Sequence, residues 1–345
     1  MNIVVLAGGT STERDVSLTT GRLVSASLKS LGHNVCFLDV FLGYDGSMND
    51  IGSLFTNNTD DETCGTIGTV DPDIEKIKAQ RGGDCLIGNN VIEICRFADI
   101  VFMALHGENG EDGKLQATFD LFGIKYTGSG CLGSAIAMNK YISKQIFIAN
   151  NIPSPEYIYI TKDNRSSLES VSFPCVVKPC SGGSSIGVTI VNDESELDKA
   201  IESGFKYENE IMIEKYIKGR EFSIGILNGT ALPSIEIKPK CGFYNYVNKY
   251  QAGMTEEICP AEISAETEGR IAEYAIKAYN ALHLNVYARI DFLMDDNGDL
   301  YCLEANTLPG MTPNSLMPQE AAAVGISYAQ LCEKIIEVSF DKYNP

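Results

Sequence analysis

Asp291, Glu304 and Asn306 combine residue types and a spacing that can do chemistry. They lie in residues 288–306, ARIDFLMDDNGDLYCLEAN, two runs rich in branched and aromatic residues around Asn297-Gly298, the strongest short-range signal for a hairpin. A two-residue type I′ turn with Asp296 opposite Asp299 predicts Met294 opposite Tyr301, Asp291 opposite Glu304 and Arg289 opposite Asn306. Opposed residues share a face, so Arg289, Asp291, Leu293, Cys302, Glu304 and Asn306 are expected on one surface. Ile290, Phe292, Met294, Tyr301, Leu303 and Ala305 are expected on the other, apolar one. Two carboxylates facing each other across a ladder, with β-carbons roughly 5 Å apart, repel unless positive charge lies between them. A hard divalent cation supplies it. Carboxylate oxygens and the Asn306 amide oxygen suit Mg2+ or Mn2+, and Mg2+ on one or two carboxylates is usually completed by substrate phosphates. The plainer alternative pairs Asp291 and Glu304 with Arg289 or a distant lysine, and this stretch alone does not separate the two.

The chain around that hairpin has 345 residues, room for two or three domains, with 44% hydrophobic residues and no apolar run long enough to span a bilayer. Its start, MNIVVLAGG, has no basic n-region and runs straight into a strand-like segment, so a fold element and a cytoplasmic location are expected. The eleven cysteines are odd in number, scattered among apolar neighbours and without Cys-x-x-Cys; buried free thiols are expected. A formal net charge of -19 argues against nucleic acid or an anionic membrane as partner, since either wants a basic patch.

Taken in order, residues 3–7, Gly8-Gly9 and the helical spacing of Leu23, Val24, Leu28 and Leu31 read as strand, glycine loop and helix, and residues 35–40 complete a βαβ start. The dinucleotide fingerprint fails for want of its third spaced glycine. Residues 41–98, rich in Gly, Asn and Asp, read as a surface insertion before a buried strand at 99–105. HGENGEDG follows at that strand's C-terminal end, where open α/β sheets place ligands. His106 reads most simply as a satisfied imidazole, and Glu111 and Asp112 as caps of a helix beginning near Lys114. Residues 126–130 read as a linker with a domain boundary near Gly128, and a helix over about 135–149 carries Lys140 and Lys144 on one face. FPCVVKP, CSGGSSIG and VTIV predict a strand, a glycine-serine flap and a strand. The flap's N–H groups can cradle phosphates and Lys178 offers a fixed charge, the alternative being an ordinary hairpin loop. Residues 214–221 read as a hinge between two sheets. Residues 238–258, aromatic and aperiodic, read as a lid. A helix near 265–281 leads to the hairpin, and LPGMTPNSL at 308–316 reads as a rigid turn before two last helices.

The flap after Lys178, the Glu-Lys-Tyr-Ile hinge and the hairpin with Asp291, Glu304 and Asn306, in this order, resemble the ATP-grasp fold. More narrowly, GGTSTERDVS, HGENGEDG, YTGSG, VVKPCSGGSSIG, IEKYIKGREF, NKYQ, ARIDF and LEANTLPGMTPNSL together resemble the D-alanine:D-alanine ligase family nearly end to end, excepting the insertion after Val40. The resemblance implies an α/β (mixed α+β) chain: an N-terminal α/β substrate domain over 1–128 with its insertion at about 41–98, a central ATP-grasp domain over 129–217 carrying the flap, and a C-terminal ATP-grasp domain over 218–345 carrying lid and hairpin. Nucleotide would bind between the last two sheets.

The resemblance also implies a reaction in peptidoglycan precursor synthesis. ATP phosphorylates the carboxylate of one D-alanine, and the amine of a second attacks the acyl phosphate. Asp291, Glu304 and Asn306 would hold two Mg2+ or Mn2+ ions. Lys140 and Lys178 would bind the α- and β-phosphates and Lys249 the transferring one, with Ser185 of the flap also at the nucleotide. Glu214, Tyr216 and the backbone of Lys215 and Ile217 would meet the adenine, and Glu221 the ribose. Arg289 and the Gly310 amide would stabilise the oxyanion of the tetrahedral intermediate. Asp15, Ser184 and Tyr250 would form a hydrogen-bonded group positioning the substrate amine. His106 would lie near the first substrate, and Ser315 and Leu316 would take the second substrate's carboxylate. Asp15 departs from the family pattern, one methylene shorter than the usual Glu. D-alanine and ATP are the implied ligands and a homodimer the implied assembly. Two alternatives stand beside this: another ATP-grasp carboxylate–amine ligase, such as D-alanine:D-serine, and a non-catalytic nucleotide-binding regulator. Intact Arg289, Asp291, Glu304 and Asn306 speak against the regulator, and Lys249-Tyr250 speaks for D-alanine over D-lactate as second substrate.

Overall fold

The computed structural model describes residues 1–56, 73–81, 85–165, 168–183, 186–240 and 254–343. Strand β1 (Asn2–Ala7) is buried throughout from Ile3 onward, as a parallel strand covered on both faces must be. It lies at the centre of a parallel sheet ordered β2-β1-β3, between β2 (Asn34–Asp39) and β3 (Ile100–Met103). Helix α1 (Arg14–Ser30) crosses from β1 to β2 and buries Val16, Gly21, Val24 and Leu28. Gly21 is needed there, because a β-carbon would stand 2.7 Å from that of Ala7. Since β2 and β3 flank β1, the sheet has its switch point at β1, and the loops after β1 and β3 meet where such sheets place ligands. Asp39, at the end of β2, ties the loop after β1 to the turn after β2, pairing with Arg14 and accepting the Phe41 and Leu42 N–H groups at 2.9 and 3.0 Å.

Residues 41–98 are only partly the expected surface insertion. They hold α2 (Ser53–Thr56), α3 (Ile74–Arg81) and α4 (Val91–Phe97), and α4 buries Val91, Ile94 and Cys95 in the core beneath the sheet. That stripe is one turn long, too short to stand out against its polar flanks. Nor are residues 126–130 an exposed linker. Tyr126 is buried and donates to Asp120 at 2.9 Å, and Thr127 accepts the Met103 N–H at 3.0 Å. After α5 (Lys114–Phe122), the single helix expected over 135–149 is two, α6 (Cys131–Met138) and α7 (Lys140–Ala149). The break is Asn139, whose side chain accepts the Ile142 N–H at 3.0 Å and so starts α7 afresh.

A second sheet is antiparallel, ordered β4-β7-β5-β6, from β4 (Tyr157–Thr161), β5 (Cys175–Pro179), β6 (Thr189–Val191) and β7 (Glu210–Lys215). Helix α8 (Glu194–Gly204) covers its apolar face. The third sheet runs β11-β10-β8-β12-β13, from β8 (Gly219–Leu227), β10 (Ile235–Pro239), β11 (Thr255–Ile258), β12 (Tyr287–Asp295) and β13 (Leu300–Asn306), with β9 (Thr230–Ala231) beside the end of β8. Helix α9 (Ala265–Ala281) starts at Ser264, which accepts the Thr267 N–H. Its stripe of Ile271, Ala275, Ala278 and Tyr279 packs on Phe222, Ile224, Ile290 and Phe292. Helices α10 (Leu316–Ala323) and α11 (Tyr328–Asp341) return to the first core. Among the described residues no helix is long and apolar enough to cross a membrane, and the described cysteines are free thiols.

One buried acid sits where the third sheet has a gap. Between its pairings with β9 and β10, β8 leaves the Gly225 N–H to the Glu320 carboxylate on α10, at 2.7 Å. The other Glu320 oxygen has no partner among the described residues. Burial pushes this carboxyl up to about 8, with Asp291 and Glu268 adding to the shift against the Gly225 bond and Arg289. Between the usual 4.5 and about 8 the folded chain therefore keeps a proton that the unfolded chain has lost. Unfolding releases that proton, so stability falls as pH rises, by about 1.4 kcal/mol per pH unit. Glu320→Gln keeps the acceptor and cannot titrate. Denaturant titrations from about pH 5 to about pH 8 should show the variant gaining on the wild type by that slope. Parallel curves would mean that Glu320 is ionised throughout.

Candidate active site

The β12–β13 hairpin brings Asp291 opposite Glu304 and Arg289 opposite Asn306, the pairs expected from the sequence. The route to that register differs. The loop has three residues, 296–298, closed by Asp295 N–H to Asp299 O and Gly298 N–H to Asp295 O, both 3.0 Å, with Gly298 at φ 83°. The Asp295 side chain holds it by accepting the Asn297 and Asp299 N–H groups, each at 2.9 Å. Pairing near the turn is therefore shifted by one, and Met294 faces Leu300 rather than Tyr301. A bulge beside Asp291 and Phe292, with Leu303 as the extra residue, shifts it back. The same bulge moves Cys302 from the expected polar face into the core beside Phe292 and turns Leu303 toward the cavity.

Each carboxylate of the pair has its own cation. Asp291 accepts from Arg289 Nε and Nη2, both at 2.9 Å, and from Ser223 Oγ at 2.7 Å and Asn306 Nδ2 at 3.0 Å. Glu304 lies 3.1 Å from Lys140 Nζ. Burial disfavours the Lys140 charge, yet Glu304 outweighs it and holds the ammonium above its usual range. Among the described residues no three His, Cys, Asp or Glu side chains converge. What converges is two carboxylates and an amide, an all-oxygen set that fits Mg2+ once phosphate oxygens and water complete the shell.

The hairpin is the floor of a cavity of about 540 Å3 between the second and third sheets. Lys178 of β5, Gly182 and Gly183 at the flap's start, and Tyr216 and Ile217 of the connection to β8 line its other walls. Lys140 donates to the Gly182 carbonyl as well as to Glu304. Deeper, one Glu214 oxygen lies 2.8 Å from Lys178 Nζ and 3.0 Å from Lys144 Nζ. Lys144 is wholly buried, and burial pushes it down to about 8, only partly offset by Glu214. Burial also works against the Glu214 charge, but the two ammoniums hold it below the usual carboxylate range. The N–H groups of Lys215 and Tyr216 are taken by the Glu156 and Pro174 carbonyls at 2.9 and 3.1 Å, so a nucleobase at this hinge would meet other groups, among them those of Ile217. Glu221 is half-buried on the cavity wall.

The loops after β1 and β3 close the far end. His106 is buried with Nδ1 3.0 Å from the Leu308 carbonyl and Nε2 3.2 Å from Thr20 Oγ1. The carbonyl requires the proton on Nδ1, and burial holds the imidazole below its usual range and neutral. Glu111 accepts the Gly107 and Leu308 N–H groups at 2.7 and 3.1 Å and is no helix cap. Asp112 does serve the start of α5, accepting from Lys114 N–H at 3.2 Å. Burial, then the Glu13 charge, pushes Glu111 up to about 8. Ser315 Oγ accepts the Thr312 N–H at 3.1 Å, and a β-carbon on Gly310 would stand 3.0 Å from it. Leu316 anchors this loop among Ile235 and Ile237, which leaves its backbone at the start of α10 for a ligand.

Residues 2–129 match the family model described as D-ala D-ala ligase N-terminus, and residues 146–337 the one described as D-ala D-ala ligase C-terminus. The chain belongs to the D-alanine–D-alanine ligase family. It is 46% identical over 342 residues, 97% of each chain, to the D-alanine–D-alanine ligase of Pediococcus pentosaceus. Its fold matches the crystal structure of the Bacillus anthracis D-alanine–D-alanine ligase complexed with ATP, with a TM-score of 0.77 at 34% identity, covering 100% of this chain and 99% of that one. It also matches the VanG D-Ala:D-Ser ligase of Enterococcus faecalis, with a TM-score of 0.76 at 29% identity over 98% and 99% of the two chains. The mixed α/β, ATP-grasp architecture expected from the sequence is the one found.

Within this ligase fold, three residues of the site were not singled out from the sequence for the places they hold: Lys144 behind Glu214, Glu111 across the loops, and Glu13. Asp15 lies half-buried in the first turn of α1, after an N-cap that is Glu13, and so does not cap the helix. The acid facing the cavity's end is Glu13. A β-carbon on Gly107 would stand 2.8 Å from its Oε2, and one on Gly183 3.0 Å. Helical phase carries the signal, since residues 13, 17, 20 and 24 are buried while 15, 19 and 22 are half-exposed. Ser184, Ser185, Lys249 and Tyr250 lie outside the described residues.

Proposed function

We propose that the chain joins two D-alanines into D-alanyl-D-alanine for peptidoglycan precursor synthesis, converting ATP to ADP and phosphate. The observation that carries this is the cavity between the two antiparallel sheets, where Lys140 and Lys178 face Asp291 and Glu304 with Arg289 beside them. Lys140 and Lys178 bind the nucleotide's phosphates, with Lys144 and Glu214 fixing Lys178 from below. Asp291, Glu304 and Asn306 would hold two Mg2+ or Mn2+ ions, which when bound would supply positive charge to the phosphates. Lys140, now paired with Glu304, would be within reach of a phosphate oxygen in the same cavity. Ile217, Tyr216 and the Lys215 carbonyl line the adenine end, Glu221 takes the ribose, and Ser185 and Lys249 complete the nucleotide's shell. The two-pronged pair with Asp291 aims Arg289. Arg289 and the Gly310 N–H stabilise the oxyanion formed when the amine of the second D-alanine attacks the acyl phosphate. Ser315 and the Leu316 backbone take that substrate's carboxylate. Glu13 takes the role expected of Asp15, binding the ammonium of the first D-alanine in one group with Ser184 and Tyr250, while His106 holds the 308 loop against it. The enzyme works as a cytoplasmic homodimer.

Glu13→Gln should raise the KM of the first D-alanine roughly ten- to a hundred-fold, the cost of one charge-assisted hydrogen bond. Asp15→Asn should change it by less than about threefold. The reverse order would return the anchor to Asp15. The proposal itself is tested by phosphate release with ATP, Mg2+ and a panel of D- and L-amino acids and hydroxy acids. D-alanine should support release and dipeptide formation. A preference for D-serine as second substrate would move the reading toward the VanG-like ligases, and release indifferent to D-alanine would end it.

A further inference from the structure

The loop carrying Gly310 and Ser315 is tied down at three places. Leu308 is held by His106 and Glu111, and the Met311 carbonyl by Tyr328 Oη at 2.7 Å. Asn314, the residue before Ser315, is held through its carbonyl by Gln319 Nε2 at 2.8 Å. The same Nε2 donates its other proton to the Glu257 carboxylate on β11, the edge strand of the third sheet. One planar amide thus spans two partners and has both protons committed. Glu257 itself is half-buried, close enough to Arg289 to feel its charge. Among the described residues this glutamine is the side chain that bonds the Glu257 carboxylate, and burying an acid is a costly way to brace a helix already buried through Leu316, Met317 and Ala321.

We propose that Gln319, oriented by Glu257, is a positioning residue for the second substrate. It holds Asn314, and with it the Ser315 hydroxyl and the first amides of α10, at the separation from Arg289 that the attacking amine needs. This rests on the reading of Ser315 and Leu316 given under the proposed function. A displacement of the loop by a fraction of an ångström loosens the second carboxylate without touching the first substrate or the phosphates, so the effect belongs in one Michaelis constant and not in both.

The test is a series at position 319, with both D-alanine KM values and kcat read from initial rates of phosphate release. Gln319→Leu removes both donors and should raise the second-site KM about tenfold, with the first-site KM and kcat within about twofold. Gln319→Lys restores a donor to Glu257 and to the Asn314 carbonyl and should return the second-site KM to within about threefold of wild type. Gln319→Glu sets a carboxylate against both partners and should be the worst of the three. Equal second-site constants for the leucine, lysine and wild-type proteins would overturn the proposal, as would a leucine variant in which both constants and kcat move together. Should the leucine variant fail to fold, the lysine and glutamate variants decide together: a second-site KM near wild type for lysine and raised about tenfold or more for glutamate supports the tie, and equal constants for the two reject it. A wild-type protein without D-alanine-dependent release would instead be the failure of the proposed function, so the two failures are distinct.

Discussion

Glu304→Gln should lower kcat by roughly two to three orders of magnitude at saturating ATP and Mg2+, the cost of a group that acts on developing phosphate charge. The structure makes this variant a clean one. Glu304 is half-buried, and although its partner Lys140 is nearly buried, that ammonium keeps the Gly182 carbonyl as an acceptor when the pair is broken. Activity should therefore fall by orders of magnitude while the melting temperature of the ligand-free protein drops only modestly. Asp291→Asn should lose activity to the same extent but also some stability, because the buried Asp291 carboxylate holds Arg289 by two bonds. Melts with Mg2+ and ATP add a second reading, since a ligand that binds only the folded chain raises its stability by mass action. That increment should be large for the wild type and small for both variants. A Glu304→Gln protein that keeps its kcat would reduce the Asp291–Glu304 pair to structural salt bridges.

Glu214→Gln is expected to produce the largest loss of stability. One carboxylate oxygen serves Lys144 and Lys178, and Lys144 has no exposed surface at all. Glutamine leaves two ammoniums side by side without a counter-charge. Removing one partner of a buried ion pair typically costs about 3–5 kcal/mol. Lys144→Met in the Glu214→Gln background removes one of the stranded charges and should recover part of that loss, which denaturant titration of the single and double variants would show. If the double variant is no more stable than Glu214→Gln alone, Lys144 is deprotonated in the folded protein, as burial already inclines it to be.

The functional face of the hairpin was legible because side-chain period and turn position together fix a register, and the register held at Arg289, Asp291, Glu304 and Asn306. It held through two departures that cancel, a loop one residue longer than the Asn-Gly signal implies and a bulge that takes the extra residue back. Neither was visible in residue types, because Asp295 stands in a run of turn formers that suits either loop length and Leu303 is an ordinary strand residue. Glu13 was missed for a different reason. Two acids flank Arg14, and only the phase of α1 against the parallel sheet tells which one faces the site. Lys144 and Glu111 depend on partners far along the chain, Glu214 and Leu308, and no local pattern encodes such pairs. The buried Tyr126 likewise came from tertiary contacts overriding a glycine-rich stretch that reads as linker, whereas the split of α6 from α7 is local, set by the Asn139 cap.

The most direct test of the central claim follows an oxygen atom. If a carboxylate of D-alanine attacks the γ-phosphate in this cavity and the second amine then displaces phosphate, one carboxylate oxygen leaves with the phosphorus. With D-alanine carrying 18O in its carboxyl group, each dipeptide formed should deliver one labelled oxygen to inorganic phosphate, with ADP as the other product. Unlabelled phosphate, or AMP with pyrophosphate, would contradict the account.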